Sequence, residues 1–197
     1  VTEMNTDFAF ILGNGKSRIV FAVEDLRHCG TVYGCNRIYE EHKVDVLIST
    51  DPGMSKEIIE SGYPEDNVHY TREKEIPFGG YSRALNPQWA GYSSGPNALA
   101  QACQDGFAYC FLIGMDLVSD TSYINNLYAD TANYKTSTNE PTHHLNWENQ
   151  VIEIIKYFSN IRVIHVNPLL NYTPLQWKEY DNFEIQSVNQ FKAMINN

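Results

Sequence analysis

Gly13-Asn14-Gly15-Lys16-Ser17 is the run of this sequence best suited to holding a charged ligand. Glycines let a backbone approach an anion closely, and the N–H groups they leave uncovered can point at it. The run is neither GxGxxG nor a Walker A motif. The plain alternative is a tight strand-to-helix turn. Three more polar side chains stand at comparable places: Asn36 after Cys35, Asp51 before Pro52-Gly53, and Asp116 after Gly114-Met115. Each has an ordinary explanation alone, Asn36 as a turn former and the two aspartates as caps of following helices. As a group they match the side chains that read base edges, ribose hydroxyls and phosphates at one edge of an α/β sheet. Ser93-Ser94-Gly95 precedes a helical segment, where hydroxyls and N–H groups suit a carboxylate or phosphate, or simply cap the helix.

His143-His144 lies where a polar segment meets a helix. Histidine titrates near neutral pH, so either residue could act as a general base. A metal site would need further ligands at defined spacing, and none is visible. Tyr123, Tyr128 and Tyr134 in the polar segment could donate hydrogen bonds to a phosphate or pack a lid. His28, His42 and His69 are isolated, and His165 sits within an apolar run as a satisfied core or edge residue.

The elements that must position these residues are short apolar runs separated by helical segments. Strands are expected at 8–12, 31–35, 44–50, 67–71, 109–113 and 161–166. The runs are continuous rather than alternating, which suits parallel strands buried on both faces. Helices are expected over 55–61, 96–105 and 146–159, the second with proline near its start and glycine past its end. The chain is therefore expected to be α/β: one Rossmann-like domain over 1–197, with a mostly parallel twisted sheet of about six strands and helices on both faces. Residues 117–143 are expected as a lid inserted after a strand. Residues 169–197 are expected as a peripheral tail, with a helix over 184–195.

A net charge of −10 and no basic run argue against nucleic acid, whose binding rests on neutralising phosphates. No apolar stretch approaches the roughly 20 residues of a membrane span. Val1–Asp7 shows neither a basic stretch nor an apolar run, so no signal peptide is expected. The four cysteines form no CxxC or zinc pattern, and a cytoplasmic location is expected. A homo-oligomer is left open.

Taken in order, GNGKS, GCN, TDPG, SSG and GMD resemble the motifs of the small bacterial sialyltransferases of glycosyltransferase family forty-two. Asn14 and Asn36 are 22 positions apart, as are Ser94 and Asp116, and both spacings fit that family. Val166–Leu170 (VNPLL) is similar to its last strand and the segment after it. The resemblance runs from about residue 8 to 170. It implies an inverting, metal-independent transfer from a nucleotide-sugar donor such as CMP-sialic acid to a glycan or small-molecule acceptor, with no cofactor. Asn14, Gly15 and Ser17 would hold the donor's phosphate or ribose, Asn36 its nucleotide, and Ser94 and Gly95 its sugar or carboxylate. His144, or His143 beside it, would be the general base. Tyr128 and Tyr134 would stabilise the departing phosphate. The chain departs from the family at Lys16, where proline is usual, and at Asp51, where the family has asparagine. An Asp after strand three also occurs in the related domain of archaeal-type pterin pyrophosphokinases. That similarity implies an alternative, Mg²⁺-dependent phosphotransfer with Asp51 and Asp116 as metal ligands. A third reading is a catalytically degenerate nucleotide-binding domain.

Overall fold

A computed structural model of the chain describes residues 6–116, 145–168 and 173–197. The expected lid lies outside the described residues. Among the described residues eight strands, all parallel, form one sheet in the order β5-β4-β3-β2-β1-β6-β7-β8. They are β1 (Phe8–Leu12), β2 (Thr31–Cys35), β3 (Val46–Ile48), β4 (His69–Thr71), β5 (Arg83–Ala84), β6 (Tyr109–Ile113), β7 (Arg162–Val166) and β8 (Phe183–Gln186). The helices are α1 (Val23–Cys29), α2 (Pro52–Glu60), α3 (Tyr63–Asp66), α4 (Ser94–Gln104), α5 (Leu145–Tyr157) and α6 (Val188–Ile195). The fold class is the expected one, with six strands where apolar runs placed them and two more at the sheet edges.

β1 is buried at every position because it pairs on both sides and is covered on both faces. Its alternate side chains feed two cores. Ala9 and Ile11 join α4, α5 and Trp177, while Phe8, Phe10 and Leu12 join α1, α2 and α6. α4 carries Ala98, Ala100 and Ala102, all buried, and these small side chains let it lie close across β1, β2, β3 and β6.

Both added strands differ from expectation for local reasons. β5 spans two residues, too few to leave a periodic signal. It is followed by Leu85, whose N–H donates to the Thr71 carbonyl at 2.8 Å. Residues 173–197, expected as a peripheral tail, are integral to the sheet. Phe183–Gln186 forms a strand where a helix was expected to begin, and α6 starts only at Val188. Phe191 on α6 is fully buried, with its ring 5.9 Å from Phe10 and 5.2 Å from Phe111. Burying such a ring is worth about 1.5–3 kcal/mol. Trp177 is equally buried, and its indole N–H donates to the Glu148 carbonyl at 3.1 Å. Among the described residues no helix is long and apolar enough to cross a membrane.

Candidate functional site

β1 lies between β2 and β6, and the connections leaving β1 and β6 run toward opposite edges of the sheet, to β2 and to β7. A crevice opens at such a switch point, outside the carboxyl ends of the strands. Here it is a cleft of about 440 Å³. Its floor is Gly13–Gly15 from the end of β1 and Gly114–Asp116 from the end of β6.

The two loops are zipped together. Gly13 N–H donates to the Ile113 carbonyl at 2.8 Å, and Gly15 N–H to the Gly114 carbonyl at 2.9 Å. A Cβ on Gly13 would stand 2.4 Å from the Gly114 oxygen, and one on Gly15 would stand 2.5 Å from Asp116 Oδ2. Gly114 holds a φ of 71°, which side chains rarely adopt. Glycine is therefore demanded first by this close approach. Gly13→Ala is expected to destabilise the fold by about 1–3 kcal/mol in urea unfolding, since backbone atoms must move to admit the methyl. Gly91→Ala, on the same cleft with nothing within 4 Å of its Cβ, is expected to stay within about 0.5 kcal/mol.

Asp116 explains Ser17. The Ser17 N–H donates to Asp116 Oδ2 at 2.8 Å, and its hydroxyl donates to Asp116 Oδ1. Ser17 is buried behind the loop and does not reach the cleft wall. The expected ligand contact from its side chain is thus replaced by a clamp that binds the β1 and β6 loops. Asn14 does line the cleft, and both ends of its amide are held. It accepts from the buried guanidinium of Arg18 at 2.8 Å and donates to the Cys35 carbonyl at 3.1 Å.

Asn36 is the one non-glycine residue with positive φ among the described residues, at 56°. Asparagine tolerates this conformation better than most, and such strain gathers at functional sites. The turn after it is anchored by Arg37, which pairs with Glu57 at 2.6 Å and Glu40 at 2.8 Å. Ser94 joins three elements: its hydroxyl accepts from the Thr50 N–H at 3.2 Å and donates to Asn36 Oδ1 at 3.1 Å. Ser93 stands at the N-cap of α4 without a side-chain cap bond, and the first residues of the helix, Ser94 and Gly95, line the cleft. That end of an 11-residue helix favours negative charge. Asp51 accepts from Met54 N–H at 3.0 Å and so caps α2, while still lining the cleft.

The cleft thus brings together Asn14, Gly15, Asn36, Asp51, Ser94, Gly95 and Asp116. His143, His144, Tyr128 and Tyr134 lie outside the described residues, although the two histidines directly precede α5, whose Asn146, Trp147 and Gln150 wall the cleft. Sequence reasoning missed Arg72, Tyr92 and Trp177. Arg72 follows β4 directly, so the strand-end rule that selected Asn36 applied to it as well. Trp177 left no local signal.

Two histidines are structural. His69 is buried between Ser49 and Ser82, each at 2.8 Å. His165 is buried against Thr173 at 2.9 Å. Burial lowers the pKa of each to about 4, in His165 despite the opposing pull of Asp116 and the Met115 backbone.

No protein-family model and no curated protein sequence matches the chain. Among solved structures it is similar to the monofunctional alpha-2,3-sialyltransferase Cst-I from Campylobacter jejuni. The TM-score is 0.52 at 16% identity, over 84% of this chain and 77% of that one. A second alpha-2,3-sialyltransferase structure from that organism, in apo form, matches over the same shares at a TM-score of 0.47 and 15% identity. At this identity the likeness to Cst-I is one of architecture. The chain has a sialyltransferase-like α/β fold, with its cleft at the β1/β6 switch point.

Proposed function

We propose that this protein is a nucleotide-sugar-dependent glycosyltransferase of the sialyltransferase type, inverting and metal-independent, using a donor such as CMP-sialic acid. The observation that carries the reading is the convergence of Asn14, Asn36, Ser94 and the start of α4 at the switch point of a sialyltransferase-like fold. The donor phosphate lies against the Gly13–Gly15 floor and Asn36 meets the nucleotide. Ser94 and Gly95 face the sugar. The acceptor hydroxyl oxygen bonds to the anomeric carbon as the bond from that carbon to the phosphate oxygen breaks. The nucleotide leaves with the bonding electron pair. The hydroxyl proton passes to His144, or to His143, and Tyr128 and Tyr134 donate to the departing phosphate.

Thermal unfolding against CMP, CMP-sialic acid, UDP, GDP and ATP, each with and without Mg²⁺, tests this directly. CMP compounds at 100 times their Kd are expected to add about 2.7 kcal/mol without metal. Stabilisation by ATP with Mg²⁺ alone would move the assignment to phosphotransfer. That alternative asks for metal binding by carboxylates that already accept from the start of α2 and from Ser17.

A further inference from the structure

Arg72 is the one cation among the described residues lining the cleft, in a chain of net charge −10. Arg27 and Arg162 pair with carboxylates at 3.1 and 2.8 Å, and Arg37 with two. Among the described residues no carboxylate pairs with Arg72. Its Nε–H donates to the Ala90 carbonyl at 2.7 Å. That carbonyl belongs to a loop pinned by Asn97 of α4, whose amide donates to the carbonyls of Trp89, Tyr92 and Ser93 at 2.8, 2.9 and 3.2 Å. The guanidinium plane is therefore set from behind. A fixed guanidinium presents paired N–H groups that match a carboxylate.

Its place in the sheet says which end of a ligand it meets. From the β1 floor, β2, β3 and β4 come in order, so Arg72 stands three strand spacings away, about 14 Å. Ser94, which faces the sugar, bonds to Thr50 just past β3, so the sugar side of the cleft is the side next to β4. The group that reaches Arg72 is the sugar of the donor or the acceptor beside it. The clamped Asp116 lies at the far end, and Asp51 is committed to the start of α2.

We infer that Arg72 is the specificity-determining residue of this cleft, binding a carboxylate carried by the donor sugar or by the acceptor. The inference rests on the nucleotide-sugar reading only for the orientation of the ligand.

The test tracks the Arg72 Nε–H signal of the ¹⁵N-labelled full chain, identified by its loss in Arg72→Gln. The titrants are CMP-sialic acid and sialyllactose, with the methyl ester of each as the counterpart that differs only at the carboxylate. The signal is expected to move with at least one acid and not with its counterpart. Movement with CMP-sialic acid places the carboxylate on the donor, and movement with sialyllactose but not with CMP-sialic acid places it on the acceptor. Arg72→Gln is expected to weaken that acid by about 10- to 100-fold, well beyond any loss for the counterpart, with Arg72→Lys losing less. An unmoved signal with both acids, or equal losses for acid and counterpart, overturns the inference. If no cytidine compound binds wild type, the nucleotide reading fails and the sialyllactose arm alone decides Arg72.

Discussion

His144→Ala is expected to lower kcat by about 10²–10⁴-fold, the usual contribution of a positioned general base. That corresponds to about 2.7–5.5 kcal/mol of transition-state stabilisation. The neighbouring His143→Ala must be measured separately, because the resemblance that assigns the base leaves the choice between adjacent residues open. One of the two is expected to carry the loss and the other to stay near wild type. Donor binding should change little in either variant, since the base acts on the acceptor hydroxyl. Both variants retaining full turnover would remove histidine from the reaction. Binding of CMP with no turnover in wild type would make the cleft a nucleotide-binding site only.

The second large effect concerns stability. His69 and His165 are held neutral by burial, each with a pKa of about 4 against 6.5 unfolded. Below 6.5 the unfolded chain binds protons that the folded chain refuses. The stability contributed by the two groups is therefore complete above about pH 6.5. It is lost as pH falls and is exhausted below about 4. Between pH 7.5 and 5.0 the loss is about 2 kcal/mol per histidine, or about 4 kcal/mol together, a large share of a domain's stability. Urea unfolding at the two pH values measures it. His69→Gln is expected to cost stability at pH 7.5, where the bonds to Ser49 and Ser82 are lost, and to remove about half of the acid sensitivity. A wild-type midpoint that does not move between pH 7.5 and 5.0 would show that these imidazoles protonate in the folded state.

Much of the architecture was legible from residue order. Phe8–Leu12, Thr31–Cys35 and Tyr109–Ile113 are strands to the residue, because a continuous apolar run bounded by turn formers has few other ways to bury itself. β8 was hidden: FEIQ is short and half polar, as an edge strand can be, and its neighbours suggested a helix. The C-terminal segment was read as peripheral because burial of Trp177 and Phe191 depends on partners far away in sequence. His69 and His165 were read as apart from the chemistry, and both are buried against hydroxyl partners.

The sequence by itself determined the class of fold and several of the cleft's polar members, because side chains at strand ends and helix starts are set by local pattern. It placed Asn14, Asn36, Asp51, Ser94 and Asp116 at the right edge before their neighbours were known. Only the tertiary structure decided that β6 lies against β1, and so that Gly114–Asp116 closes on Gly13–Gly15 across about a hundred residues. That contact turned Ser17 from ligand to clamp, and the turn at Ala90 aimed Arg72 into the cleft. Strand order and side-chain direction are set by long-range packing, and no local propensity encodes them.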